Sequence, residues 1–158
     1  MDKSRFEHLL RKHHKNAFMW ARQCCGYRDE EAKEVLQIVY LKIVEGKAVY
    51  NQKGAFKTWL FSVIRFTAID HLKKERKYEE LDVVNEVVER ESDADPVNYK
   101  KLLAQLSERQ QQVLLLAFYH EMTLTEIAEV TKLHIGTIRT HYERGKEGLR
   151  TLILKEKV

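Results

Sequence analysis

Apolar side chains recur at three- and four-residue steps through most of a 158-residue chain that holds one proline, Pro96, and six glycines. Strands need a period of two and frequent turn residues, whereas long stretches at a period near 3.6 specify helices with one buried face. The predicted fold class is therefore all-α. The hydrophobic share, 44%, is enough for one modest core or two small ones.

The first periodic segment runs from about Ser4 to Cys25, with Phe6, Leu9, Leu10, His13, Ala17, Trp20, Ala21 and Cys24 on its inner face, and Gly26 stops it. A second helix is expected after Asp29 as its cap, with Ala32, Val35, Leu36, Val39, Tyr40 and Ile43 inward. A polar connection, Lys47 to Ala55, leads to a third helix from Phe56 to about Lys77. From Glu79 the periodicity fades and acidic residues dominate, so residues 79–96 read as a linker. Asp95-Pro96 then looks like a cap with proline at the first helical position. Two capping boxes follow, Ser107 with Gln110 and Thr123 with Glu126. They predict helices over Glu108–His120 and Leu124–Thr131. After the turn Lys132-Leu133-His134, a last helix carries Ile135, Ile138, Tyr142, Gly145, Leu149, Leu152 and Ile153 inward.

The chain's net charge of +4 is unevenly distributed: +8 over residues 1–78, −7 over 79–96 and +3 over 97–158. Two basic segments around an acidic one suit two polyanion-facing domains joined by a solvated tether. No targeting segment or membrane-length apolar run is found, which predicts a cytoplasmic protein with no membrane insertion. Cys24 and Cys25 are adjacent and too close for an ordinary disulfide, so both read as buried thiols. With His13 and His14 they lack paired zinc-ligand spacing; no metal, no cofactor and no small-molecule substrate are expected. Neither a phosphate loop nor a nucleophile–base grouping appears, so an enzyme is not expected.

Helix, short turn, helix, with Ala128 on the first and Ile138 ten residues later on the second, is the packing of a helix-turn-helix. Small Ala128 would let the backbones approach. The stretch Leu106 to Arg150, LSERQQQVLLLAFYHEMTLTEIAEVTKLHIGTIRTHYERGKEGLR, resembles the promoter-reading C-terminal domain of extracytoplasmic-function sigma factors. The segment Phe56 to Lys74, FKTWLFSVIRFTAIDHLKK, resembles that family's FRTWLYRIARNLALDYLRR, and Ala32 to Tyr40 resembles its AEDLVQEVF helix.

The resemblance implies a promoter-melting three-helix domain over 1–78, a flexible acidic linker over 79–96, and a four-helix domain with the helix-turn-helix over 97–158. It also implies three surfaces. Glu34, Leu36, Gln37 and Tyr40 would face core RNA polymerase. Lys53, Phe56, Lys57, Trp59, Arg65, Phe66, Lys73 and Lys74 would serve the minus-ten element of promoter DNA, with the Trp59 ring itself read mainly as core. Thr137, Arg139, Thr140, His141 and Arg144 would serve the minus-thirty-five element. An anti-sigma factor is implied as a further partner. The sequence departs from the family pattern at Phe66 (usually asparagine), Ile38 (usually acidic), Lys132 (usually glycine), His134 (usually a serine cap) and Glu143 (often aromatic or basic). A stand-alone helix-turn-helix regulator is the alternative, but it leaves the N-terminal blocks unexplained.

Overall fold

The computed structural model describes residues 2–79 and 99–156. Every regular element among them is helical, as the periodicity predicts: α1 (Lys3–Cys24), α2 (Asp29–Val44), α3 (Phe56–Glu79), α4 (Tyr99–Ala104), α5 (Glu108–Leu114), a π-helical turn (Leu115–Tyr119), α6 (Leu124–Thr131) and α7 (Ile135–Glu156). They fall into two compact units, one built on α1–α3 and the other mainly on the later helices. The expected linker, apart from Glu79 at the end of α3, and the Asp95-Pro96 helix start lie outside the described residues.

In the first unit α1 begins where Asp2 accepts the Ser4 amide at 3.2 Å, satisfying one of the unpaired N–H groups of the first turn. It ends at a left-handed pair, Gly26 (φ 62°) and Tyr27 (φ 63°). The Tyr27 amide bonds back to the Arg22 carbonyl at 2.7 Å. Asp29 does not cap α2. It is the first helical residue, Arg28 occupies the cap position without a side-chain bond, and the Asp29 carboxylate sits 2.7 Å from Arg22 Nε. That ion pair ties the start of α2 to the end of α1, and Asp29, Glu30 and Glu31 all lie at the positive end of the helix dipole.

Ala17, Trp20 and Ala21 from α1, Ala32, Val35 and Val39 from α2, and Leu60, Phe61 and Ile64 from α3 are fully buried. The three alanines let the helices approach closely around the largest side chain. Trp20 stacks on Phe61 with ring centroids 5.8 Å apart, and its indole N–H donates to the Phe61 carbonyl at 3.1 Å, so the one polar atom of the ring is paired. Cys24 and Cys25 are buried free thiols. Burial pushes the Cys25 thiol up to about 11, which keeps it protonated and unreactive at neutral pH.

In the second unit Leu102, Val113, Leu114, Leu116, Ile127 and Ile138 form the buried centre. Ser107 accepts the Gln110 amide at 3.2 Å to start α5. The helix expected to run regularly to His120 is regular only to Leu114. The His120 amide bonds to the Leu115 carbonyl five residues back, at 3.1 Å, and the Met122 amide to the Leu116 carbonyl, at 3.0 Å. The wider turn lets Val113–Leu116 stay buried while Phe118 and Tyr119 swing outward. The capping box before α6 is complete: Thr123 Oγ1 accepts the Glu126 amide at 3.1 Å, and Glu126 Oε1 accepts the Thr123 amide at 3.0 Å. On α6 Ile127 and Val130 are fully buried, whereas Ala128 is half-buried.

Candidate functional site

Lys132 ends α6 in the left-handed region, φ 58°, a conformation that costs a non-glycine residue about 1 kcal/mol. His134 then does what a serine cap does. Its Nδ1 accepts the Gly136 amide at 3.1 Å, while its carbonyl accepts the Ile138 amide at 3.1 Å to open α7. Ile138, fully buried, fixes which side of α7 is turned away from solvent.

On the opposite side Arg139, Thr140, Glu143 and Arg144 are exposed, and Thr137 is half-exposed. At 100° per residue, Arg139 and Arg144 stand about 140° apart on the wheel and mark the two edges of this face. Glu143 and Thr140 fill it between them. Glu143 lies 3.7 Å from Lys146 Nζ, and Thr140 donates its hydroxyl to the Gly136 carbonyl at 3.0 Å, leaving its oxygen able to accept. His141 falls outside the face. It is half-buried and its Nδ1 is enclosed without a hydrogen-bond partner among the described residues.

Helix α3 and the loop before it carry the second set. Gln52 (φ 62°) and Gly54 (φ 76°) are left-handed, Asn51 Oδ1 accepts the Lys53 amide at 2.9 Å, and the Tyr50 hydroxyl donates to the Gly54 carbonyl. The loop is thereby shaped by its own side chains, with Lys53 exposed at its tip. Tyr50, Phe56, Trp59 and Phe6 form one aromatic cluster with centroids 5.4–6.1 Å apart. Phe56 is 7% exposed at its base, so it supports the cluster and cannot stack on a nucleotide base as expected from the resemblance. Trp59 is half-buried, consistent with a ring that is partly core.

Trp59, Phe66 and Lys73 are seven residues apart in sequence and so share one side of α3 over about 21 Å. Phe66 is 70% exposed, with Lys42 Nζ 6.0 Å from its ring and bonded to Thr67 Oγ1 at 3.0 Å. Lys73 is exposed. Lys57 and Arg65, both half-buried, project from other sides; Lys57 Nζ lies 5.5 Å from the Phe61 ring. Lys74 is exposed and pairs with Asp70 at 3.3 Å.

The third set lies on α2. Glu34 and Gln37 are exposed, but Leu36 is 4% exposed and packs in the core, which removes it from any docking surface. Tyr40 is half-buried, its hydroxyl is 2.7 Å from His14 Nδ1, and burial raises its phenol above the usual range. Leu41 and Val44, 57% and 83% exposed, extend the Glu34–Gln37 face by two further turns. Leu41 and Val44 belong neither to the inner face of α2 nor to the residues that the resemblance implies. The three- and four-residue steps from Gln37 to Leu41 and Val44 were the signal for a second, outward apolar stripe.

Comparison with known proteins matches residues 9–78 to the family described as "Sigma-70 region 2" and residues 97–149 to "Sigma-70, region 4". Among curated relatives, the RNA polymerase sigma factor SigV of Bacillus subtilis is 26% identical over 80% of this chain and 78% of its own length. The ECF RNA polymerase sigma factor SigW of the same species is 23% identical over 76% of this chain and 74% of its own. Among solved structures, the sigma factor RpoE in complex with the anti-sigma factor NepR from Bartonella quintana shares a TM-score of 0.78 at 18% identity, covering 94% of this chain and 96% of that one. CnrH in complex with the cytosolic domain of CnrY has a TM-score of 0.67 at 18% identity, covering 96% and 89%.

Proposed function

Because this chain belongs to the sigma-70 family, among the extracytoplasmic-function sigma factors that direct promoter-specific transcription initiation without catalysing a reaction, we propose which of its surfaces do the work. The N-terminal part, residues 1–78, acts as region 2, the segment 79–96 as an acidic tether, and residues 97–158 as region 4. Glu34, Gln37, Leu41 and Val44 form the face of α2 that docks on core RNA polymerase, with Tyr40 bracing it through His14. Exposed aliphatic side chains among polar ones are what a protein interface core and rim require.

The α3 strip of Trp59, Phe66 and Lys73, with Lys53 on the loop, captures the opened minus-ten element. An aromatic face holds an unstacked base by stacking, and the lysines neutralise backbone phosphates. Lys57, Arg65 and Lys74, on other sides of α3, serve the flanking backbone of the same element. Phe56 acts only as the floor of the cluster.

Region 4 reads the minus-thirty-five element through α7. One arginine of the pair at the edges of the exposed face contacts a base edge, the other mainly phosphate, with Thr140 between them and Thr137 on the Arg144 edge. Glu143 disfavours phosphate and suits a cytosine amino group. The observation that carries this reading is the exposed face of α7 itself, flanked by Arg139 and Arg144 directly after a capped helix-turn-helix. A cytoplasmic location and an anti-sigma partner complete the proposal; RpoE was solved with the anti-sigma factor NepR, and CnrH with the cytosolic domain of CnrY.

Run-off transcription with purified core polymerase tests the reading. Full-length chain should support initiation from a cognate promoter, and Leu41→Asp with Val44→Asp should abolish it by preventing holoenzyme assembly. A chain that shifts promoter DNA alone but never assembles with core polymerase would instead be a stand-alone regulator.

A further inference from the structure

Where α2 lies against α3, four side chains able to bind a metal converge. His71 Nε2 is 2.7 Å from Glu31 Oε2, 3.5 Å from Glu75 Oε1 and 3.7 Å from Glu34 Oε2. One ligand atom from each of the four lies within 4.8 Å of all the others. The convergence is built into the helices. Glu31 and Glu34 are three residues apart on α2, and His71 and Glu75 four apart on α3, so each pair projects from one side of its helix. Two ligands from each of two packed helices is a recurrent way for helical proteins to hold an ion.

The charge balance points the same way. Three carboxylates face one imidazole, an excess of negative charge even with His71 protonated. Arg28 acts on Glu31 and Glu75, but its Nε is spent on the Cys25 carbonyl at 3.1 Å. Burial and the neighbouring Glu31 hold the Glu75 carboxyl above the usual carboxylate range, while hydrogen bonds from Glu75 and His71 outweigh burial and hold Glu31 below it.

We propose that Glu31, Glu34, His71 and Glu75 bind one divalent first-row transition-metal cation of the Zn2+ class, joining α2 to α3. Tetrahedral ligands at about 2.0–2.2 Å from a metal are separated by about 3.4 Å, and the three distances from His71 bracket that value. An imidazole among the ligands favours zinc, nickel, cobalt or iron over calcium and magnesium, which prefer oxygen alone. The side chains of His71, Glu31 and Glu75 are 12%, 20% and 30% exposed, so they form a sheltered floor. Glu34, 58% exposed, is the rim through which an ion enters. The zinc-ligand spacing sought in the sequence missed the group because its two halves are 40 residues apart.

The test is calorimetric titration of the metal-free, untagged full chain with ZnCl2, alongside Co2+ titration, whose visible absorption reports coordination number. One ion per chain is expected, with Kd at or below about 10 μM and a four-coordinate Co2+ spectrum. His71→Gln and Glu75→Gln should each weaken binding at least about tenfold. Glu34→Gln, at an exposed position that cannot disturb folding, should weaken it severalfold, and the Zn2+-induced rise in Tm should shrink in parallel. Absence of saturable binding up to about 1 mM would overturn the proposal, as would an affinity unchanged in all three variants or lost on His13→Gln with His14→Gln.

Discussion

Phe66 carries a large apolar ring into solvent at a position where the family usually places asparagine, and it does so beside Lys42, Trp59 and Lys73. A ring that exposed contributes little to folding, so its removal separates function from stability. Phe66→Ala should leave Tm within about 2 °C of the parent, since surface substitutions cost within about 0.5 kcal/mol. Promoter opening should fall by the equivalent of about 1–3 kcal/mol, the usual worth of one base–aromatic stack. Fluorescence of 2-aminopurine placed in the minus-ten element, read in holoenzyme, measures this; equal opening by the variant would show that the ring stacks on no base. Arg139 and Arg144 form a matched pair for a second measurement. Alanine at the base-reading arginine should cost about 1–3 kcal/mol and relax preference at one promoter position, while alanine at the phosphate-binding one should weaken every promoter alike and lower the salt slope by about one. A panel of minus-thirty-five variants transcribed at two salt concentrations assigns the roles. If neither variant alters output or preference, α7 does not read the promoter as proposed.

At the scale of the element, α7 holds two glycines in a helical interior where alanine is intrinsically better by about 0.8–1 kcal/mol. Packing decides the sign at each. A Cβ on Gly145 would stand 3.2 Å from both Cγ and Cδ1 of Leu114, which is 2% exposed in the centre of the unit. A Cβ on Gly148 would stand 2.8 Å from Leu106 Cδ2, the free end of a half-buried side chain that can rotate away. Gly145→Ala is therefore expected to destabilise by about 1–2 kcal/mol net of the propensity gain, and Gly148→Ala to be neutral or slightly stabilising. Urea denaturation of the two variants checks the contrast, and equal losses would mean that α7 meets the two leucines alike. Nothing in the sequence separates the two glycines, because spacing says which face is inward and not how near the next helix lies. The same limit explains other misses. Helix bounds and inner faces were legible within a residue or two wherever apolar and polar residues alternate at a helical period. The apolar run Val113–Phe118 has no polar residue to fix a phase, so nothing in it marked the π turn. Leu36 stands on the inner face of α2 by its spacing and on a docking surface only by the resemblance, and the spacing is right; Phe56 stands among the DNA contacts by residue type, while its burial depends on packing that no local pattern encodes. His134 departs from a serine cap, yet it supplies the capping acceptor through Nδ1.

At the scale of the whole molecule the charge sequence matters more than any single pair. Segments of +8 and +3 flank one of −7, and both flanking segments carry the surfaces assigned to DNA. An acidic stretch covalently held near two basic faces competes with duplex phosphate for them, since like charges within a Debye length of about 10 Å at 0.1 M salt repel and opposite ones attract. This competition predicts weak non-specific DNA binding by the free chain. Core polymerase, by engaging the chain, would leave the basic faces to the promoter. Replacing Glu80, Asp82, Glu86, Glu89 and Glu91 by their amides removes five negative charges from the segment without adding any basic group. The free variant should then bind random duplex DNA about tenfold more tightly than the parent at 50 mM salt, and the gain should shrink towards 300 mM as screening takes over. Fluorescence anisotropy of a labelled duplex across that salt range is the measurement. An unchanged affinity at low salt would mean that the acidic segment does not oppose DNA binding, and a gain that persists undiminished at high salt would place its cause in something other than charge.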